Sequence, residues 1–162
     1  MNHYRLNNGV EIPVLGFGTW KAADGEEAYQ AVLAALKAGY RHIDTAAIYQ
    51  NEESVGRAIK DSGLKREDLF ITTKLWNTNH TYEDAQAALE ASLEKLGLDY
   101  VDLYLIHWPN PKPLRENDAW KKRNAEVWRA MEDMLAAGKV RAIGISNFLP
   151  HHLEALLETA RV

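Results

Sequence analysis

The chain has 162 residues, which is enough for one domain with a hydrophobic core. Its 46% hydrophobic and 26% charged content is ordinary, and its net charge of −4 gives no electrostatic reason to expect nucleic acid or a membrane surface as a partner. It has no cysteine, which excludes disulfides and thiolate chemistry. No apolar run could cross a bilayer, and the first residues lack the pattern of a signal peptide, so we predict a single cytoplasmic domain over residues 1–162.

The first part of the chain predicts a hairpin and one strand. Asn8-Gly9 is a strong turn signal, and it separates two short segments, residues 4–6 and 10–12, that suit paired strands. Residues 14–20 then predict a first buried strand that runs into a loop containing glycine.

Strands and helices alternate through the rest of the chain. Predicted strands cover residues 42–44, 69–76, 101–108 and 140–147. Predicted helices cover residues 26–38, 52–61, the segment between Thr81 and Gly97, residues 124–137 and the residues from about 150 onward. Residues 109–123 predict a long polar loop. Because helices separate successive apolar strands, this pattern indicates an α/β fold with a parallel sheet that is buried on both faces.

A polar side chain ends each of four successive predicted strands. These residues are Asp44, Lys74, His107 and Ser146, and Tyr49 stands on the loop after the first of these strands. If the sheet curls into a barrel, the strand ends converge at one mouth, where enzymes of this architecture place their chemistry. The sequence therefore predicts that these side chains meet in one site.

Each of these residues also has a structural explanation when it is taken alone. Asp44 and Lys74 could form an ion pair that serves stability only. His107 could be a hydrogen-bonded core histidine, Tyr49 could be a packing phenol, and Ser146 could begin a helix as its N-cap. The occurrence of all of them at strand ends is what favours a functional site.

Three tryptophans, Trp20, Trp76 and Trp108, fall at strand ends as well. They could be plain core residues, or they could line an aromatic substrate pocket.

The chemistry that suits this set is proton transfer by a phenol. The chain has no cysteine and no serine in a nucleophile elbow, and only Asp44 and His107 could ligate a metal, so we expect no metal site. A lysine cation beside a phenol favours the phenolate and lowers the phenol's pKa from its usual value of about 10. A histidine at the same mouth could donate a hydrogen bond to a carbonyl oxygen. This arrangement suits carbonyl reduction, in which hydride reaches carbon and the phenol protonates oxygen.

Four stretches of the chain resemble the aldo-keto reductase family. Residues 39–56 resemble its first signature and residues 143–148 its second, while residues 71–74 and 105–109 are similar to its lysine and histidine strands. The resemblance covers the whole chain and implies NADPH-dependent reduction of small aldehydes or ketones to alcohols.

The resemblance also implies roles for the residues at the strand ends. It makes Tyr49 the general acid, with Asp44 and Lys74 tuning it and His107 orienting the substrate carbonyl. The implied cofactor-binding residues are Thr19, Asp44, Ser146 and Asn147. The implied substrate-binding residues are Trp20, Tyr49, Trp76, His107 and Trp108.

The implied fold is a (β/α)8 TIM barrel whose lower end is covered by the N-terminal hairpin. Such a barrel has eight strands and typically about 250 residues, whereas this chain predicts a hairpin and five βα units. The family's third signature, which carries the cofactor phosphate loop, is absent, so NADP is preferred over NAD by resemblance only. We therefore expect weak NADPH binding by this chain alone, and we expect the missing C-terminal half of the barrel, or a second copy, as a partner.

An open five-stranded sheet also predicts exposed edges and an exposed inner face. We expect bare edges at residues 14–15 and 143–145, and we expect Phe70, Leu103 and Leu105 to be open to water.

Two other functions are compatible with the predicted fold. The chain could be a non-catalytic barrel module that binds proteins, although such a module has no need to keep all four polar groups. It could also be a metal-dependent hydrolase, which would require bound metal.

Overall fold

The computed structural model describes residues 2–162, which form a hairpin followed by five parallel strands that alternate with five helices. The strands are β1 (His3–Arg5), β2 (Glu11–Pro13), β3 (Gly16–Gly18), β4 (His42–Asp44), β5 (Phe70–Leu75), β6 (Val101–Ile106) and β7 (Val140–Ile145). The helices are α1 (Glu26–Lys37), α2 (Glu52–Asp61), α3 (Tyr82–Leu96), α4 (Ala119–Ala136) and α5 (Pro150–Leu157).

The predicted hairpin is confirmed, and it is attached to the last strand of the sheet. β1 and β2 pair antiparallel around Gly9, whose φ of +86° is the left-handed conformation that favours glycine. Asn8 accepts a hydrogen bond from Val10 N at 3.1 Å through its side-chain oxygen, and its amide donates to Arg141 O at 2.9 Å.

The main sheet has the order β3-β4-β5-β6-β7, and all of its neighbouring strands are parallel. This confirms the predicted α/β class. Every residue of β5 is buried, because this strand lies in the middle of the sheet. The core between sheet and helices is apolar and includes Ile43, Ile71, Tyr104 and Met131. Within residues 2–162 there is no helix with the length and apolar character needed to cross a membrane.

Helices α2 and α3 approach each other closely, and a glycine makes this possible. A Cβ atom on Gly56 of α2 would collide with the backbone carbonyl of Leu96 at the end of α3. Helix α3 begins as predicted, with Thr81 Oγ1 accepting from Asp84 N at 3.0 Å, and it ends at Gly97, whose φ is +65°.

Two predicted elements differ most in extent from the structure, while β5, β6 and β7 are each two residues shorter than predicted. The first strand of the sheet is β3, which is shorter than residues 14–20 and is not buried, because it pairs only with β4. The predicted loop over residues 109–123 contains two short 3-10 turns and the first five residues of α4. This helix begins early because Trp120 packs edge-on against the ring of His152, at 4.8 Å between ring centroids.

The prediction for the inner face of the sheet is only partly right. Phe70 is not open to water but buried, because the ring of His42 packs against it with 5.0 Å between centroids. Leu103 and Leu105 are half-buried. Among the described residues, β3 and β7 each pair with only one strand of the main sheet. The predicted edge at residues 143–145 is confirmed, whereas the first edge is at Gly16–Gly18 and not at residues 14–15.

A buried ion cluster holds the strands together at the end of the sheet opposite the predicted site. The carboxylate of Asp102 is fully buried near the start of β6. It contacts Arg66 at 2.6 Å and Arg141 at 2.7 Å, and it accepts a hydrogen bond from Ile71 N at 2.8 Å. One carboxylate therefore links β5, β6 and β7 through charge-assisted hydrogen bonds.

Candidate active site

The carboxyl ends of the parallel strands bring the predicted polar residues to one edge of the sheet. Asp44 is the last residue of β4, and Lys74 is the last but one of β5. His107 directly follows β6, and Ser146 directly follows β7. The side chains of Asp44, Lys74, Tyr49 and His107 form one cluster, whereas Ser146 and Asn147 lie beside it at the end of β7.

Lys74 is the centre of the cluster, and its ammonium group has three neighbours. Nζ lies 2.6 Å from Asp44 Oδ1, 2.9 Å from Thr45 O and 3.5 Å from the hydroxyl of Tyr49. The side chain of Lys74 is 8% exposed, while that of Asp44 is 33% exposed. Since an ammonium has three hydrogens, the two shorter contacts direct the third towards the phenol.

Tyr49 reaches this position because of the backbone around it. It ends a short 3-10 turn, Ala47–Tyr49, and Gln50 reverses the chain in the left-handed region with a φ of +56°. The phenol ring lies 5.1 Å from Lys74 Nζ and packs edge-on against the His107 ring at 5.9 Å. The Lys74 ammonium therefore contacts the hydroxyl, and the His107 ring packs against the phenol ring.

His107 is buried, and its environment keeps it neutral. Burial, and then the charge of Lys74, lower the pKa of His107 to about 4. Its ring packs edge-on against Trp76 at 5.3 Å, and its Nδ1 is buried without a partner among the described residues. A neutral imidazole can donate one hydrogen bond from its other nitrogen, which suits contact with a carbonyl oxygen.

The three tryptophans differ in their surroundings. Trp20 is 68% exposed and Trp108 is 45% exposed, whereas Trp76 is half-buried beside His107. Their exposure rules out the explanation that Trp20 and Trp108 are plain core residues. Lys21 Nζ lies over one face of the Trp20 ring, 4.6 Å from its centroid, and the remaining exposed indole surface is available to contact a substrate.

Ser146 and Asn147 have the chemistry to hold a carboxamide such as that of nicotinamide. The amide of Asn147 donates to His107 O at 2.9 Å and to Ser146 Oγ at 3.0 Å. These bonds leave the Asn147 side-chain oxygen and the Ser146 hydroxyl proton unused among the described residues. One acceptor and one donor therefore remain for an amide group.

Thr19 is placed differently from the other candidate residues. Its side chain is buried, and its hydroxyl donates to Thr45 Oγ1 at 3.0 Å. Asn51, which our sequence analysis did not single out, contacts both threonines. Its only signal in the sequence is a polar residue directly before a helix, which ordinarily indicates a cap, yet the structure shows no side-chain cap there.

Four buried or half-buried histidines predict that stability depends on pH. Burial is the main cause that lowers the pKa of His42, His80, His107 and His152, and it brings those of His80 and His107 to about 4. Because the unfolded value is about 6.5, the unfolded chain binds more protons below that pH. We expect full stability above about pH 6.5 and a loss as the pH falls towards 4, measured by urea unfolding at pH 7.5 and 5.

Replacing His80 measures how much this one histidine contributes to the pH dependence of stability. His80→Gln should reduce the difference in stability between the two pH values by about 1–2 kcal/mol, because His80 no longer titrates. Equal pH dependence in the wild-type protein and His80→Gln would contradict this assignment.

Comparison with known proteins gives one answer throughout. The model of the Aldo/keto reductase family matches residues 14–162. The chain is 54% identical to glyoxal reductase of Bacillus subtilis over 158 residues, which are 98% of this chain and 54% of that protein. It is 50% identical over 173 residues to aldehyde reductase YPR1 of Saccharomyces cerevisiae, covering 96% of this chain and 54% of that protein. The chain thus spans about half the length of the curated relatives it matches.

Solved structures agree with this result. An aldo/keto reductase from Brucella melitensis superposes with a TM-score of 0.91 at 50% identity, covering 99% of this chain and 59% of that one. A Bombyx mori aldo-keto reductase in complex with NADP superposes with a TM-score of 0.87 at 42% identity, covering 99% and 55%. The relatives named here are reductases, which does not favour a non-catalytic binding module. With a family match over most of its length and this agreement in fold, the chain belongs to the aldo/keto reductase family of oxidoreductases.

Proposed function

We propose that the protein that carries this chain reduces aldehydes or ketones to alcohols with NADPH, and that Tyr49 is the proton donor. The observation that carries the proposal is the contact of Lys74 Nζ with the Tyr49 hydroxyl at 3.5 Å, beside a neutral His107. A phenol in this position can give a proton to a carbonyl oxygen, and the lysine cation stabilises the phenolate that remains.

Each residue of the cluster has a distinct part in the proposed reaction. Asp44 holds Lys74 in place at 2.6 Å and balances its charge. His107 donates a hydrogen bond to the substrate carbonyl and orients it towards Tyr49. Trp20, Trp76 and Trp108 contact the rest of the substrate. The positioning of acid and carbonyl within hydrogen-bond reach is what general acid catalysis requires.

NADPH, when bound, supplies the hydride that goes to the carbonyl carbon. Ser146 and Asn147 would hold its carboxamide through the acceptor and donor that they leave unused, with Asp44 and the loop at Thr19 alongside. A second silkworm aldo-keto reductase was solved in complex with NADPH, which supports this choice of cofactor. We further propose that the phosphates are held by barrel units beyond the five described here, and that the protein works in the cytoplasm on small carbonyl compounds.

Lys74→Met tests the proposal, because it removes the cation and keeps the apolar stem. We expect reduction of a simple aromatic aldehyde, followed by NADPH oxidation, to lose about 10²–10⁴-fold in kcat. Lys139→Met is the matched control, since it removes a lysine paired with Glu90 at 3.2 Å on the surface, and it should keep the wild-type rate. A Lys74→Met protein as active as the control would refute the role of Lys74.

A further inference from the structure

Asn51 is a fully buried residue whose side-chain amide makes three hydrogen bonds. Its Nδ2 donates to Thr19 O at 2.9 Å and to Ala22 O at 3.0 Å. Its Oδ1 accepts from Thr45 Oγ1 at 3.0 Å, and it lies 3.4 Å from Thr19 Oγ1, whose single proton goes to Thr45 Oγ1. Because carbonyl oxygens only accept, the two carbonyls fix the orientation of the amide, and both of its donor hydrogens are used.

The first pair of bonds holds the loop after β3, which carries Trp20. The side chain of Trp20 is 68% exposed and contributes little to fixing the loop. The loop is held instead from α2, at one end by Asn51 and at the other by Ser54, whose hydroxyl accepts from Gly25 N at 2.8 Å and donates to Asp24 Oδ1 at 2.5 Å. The position of Trp20 therefore depends on two side chains at the start of α2.

The bond accepted by Asn51 Oδ1 reaches the catalytic cluster through Thr45. The hydroxyl of Thr45 is bound by Asn51, and its backbone N donates to Thr72 O at 2.9 Å. Its backbone carbonyl is the acceptor that holds Lys74 Nζ at 2.9 Å. A shift of Thr45 would turn the lysine ammonium away from Tyr49, which lies only two residues before Asn51.

We propose that Asn51 is a positioning residue of the active site, which fixes the Trp20 loop and, through Thr45, the direction of Lys74 towards Tyr49. The inference rests on the proposed function, because it assigns Asn51 to the same reaction. It makes one buried amide the link between the part of the site that contacts substrate and the part that transfers the proton.

Two substitutions separate the two connections. Asn51→Asp keeps the acceptor for the Thr45 hydroxyl and removes the donors to Thr19 O and Ala22 O. Thr45→Val removes the hydroxyl that binds Asn51 and leaves the donors of the amide in place. Thr45→Ser keeps the hydroxyl and should behave as wild type.

Amide hydrogen exchange tests the hold on the loop without any need for activity. In the protein that carries this chain, Asn51→Asp should speed exchange of residues 19–25 about tenfold, because the loop loses its two amide donors. Asn124→Asp is the matched control, since Asn124 is a second buried amide, donating to Pro109 O at 2.9 Å. The proposal is overturned if the amides of residues 19–25 exchange no faster in Asn51→Asp than in the wild-type protein. It is also overturned if they exchange as fast in Asn124→Asp as in Asn51→Asp.

Kinetics and chemical labelling test the link to Lys74. Thr45→Val should lower kcat about 10²-fold with little change in KM, because misplaced catalytic groups cost about this much, and Thr45→Ser should restore the rate. Reductive methylation of Lys74, read by mass spectrometry, should be faster in Thr45→Val than in Thr45→Ser. Equal kcat and equal labelling in the two variants would overturn the link through Thr45.

The two sets of measurements also separate this inference from the proposed function. If the unsubstituted protein reduces no aldehyde, the proposed function fails. Exchange of the loop and labelling of Lys74 still decide whether Asn51 and Thr45 hold these groups, because neither readout depends on turnover.

Discussion

Tyr49→Phe should abolish most carbonyl reduction, with kcat lower by at least about 10²–10⁴-fold. Phenylalanine keeps the ring and its packing against His107 at 5.9 Å, so only the hydroxyl beside Lys74 is lost. Without it, the proposed site has no phenol proton to give to the carbonyl oxygen. Steady-state reduction of a simple aromatic aldehyde with NADPH measures the effect, and binding of the substrate should change much less than turnover.

Tyr82→Phe provides the control for this substitution. Tyr82 begins α3, where its hydroxyl donates to the carboxylate of Asp133 at 2.7 Å on the surface. The hydroxyl also accepts from Gln86 Nε2 at 3.3 Å, so the control loses one tyrosine hydroxyl and two hydrogen bonds, away from the strand ends that carry the cluster. A Tyr49→Phe protein with the turnover of Tyr82→Phe would show that the phenol is not the acid.

Asp102→Ala should cause the largest loss of stability, about 3–5 kcal/mol, because it leaves two arginine side chains without their carboxylate. The partners differ in exposure, with Arg66 at 21% and Arg141 at 45%. The penalty falls mainly on the more buried Arg66, which also donates to Tyr100 O and Leu69 O. Urea unfolding followed by far-ultraviolet circular dichroism measures the loss.

The ranking of three single substitutions by their loss of stability is a sharper test than the loss measured for one of them. Asp102→Ala should destabilise most, Arg66→Met less and Arg141→Met least, because half-exposed charges are screened by water. Asp102 lies near the start of β6, whereas His107 directly follows the end of that strand. Because the two residues are at opposite ends of β6, the Asp102→Ala protein that remains folded should keep the wild-type KM for the aldehyde. An Arg141→Met protein that is less stable than Asp102→Ala would contradict this account.

Local patterns in the sequence were enough to predict most elements. The bounds of α2 are those that the pattern predicts, and α1 ends within one residue of the prediction. Glycine after an apolar helical stretch marked the end of α3, because a left-handed residue there terminates a helix. The start of α4 was mispredicted because the polar residues before it indicate a loop. The helix begins earlier than predicted because Trp120 packs against His152.

The sequence by itself determined the alternation of strands and helices and the polar residue at the end of each strand, because both are properties of short segments. Only the tertiary structure decided that Lys74, Asp44 and Tyr49 touch, since strand register and the turn at Gln50 set those distances. It alone showed the role of Asn51, because an amide that joins residues up to 32 positions away has no signature in a local pattern.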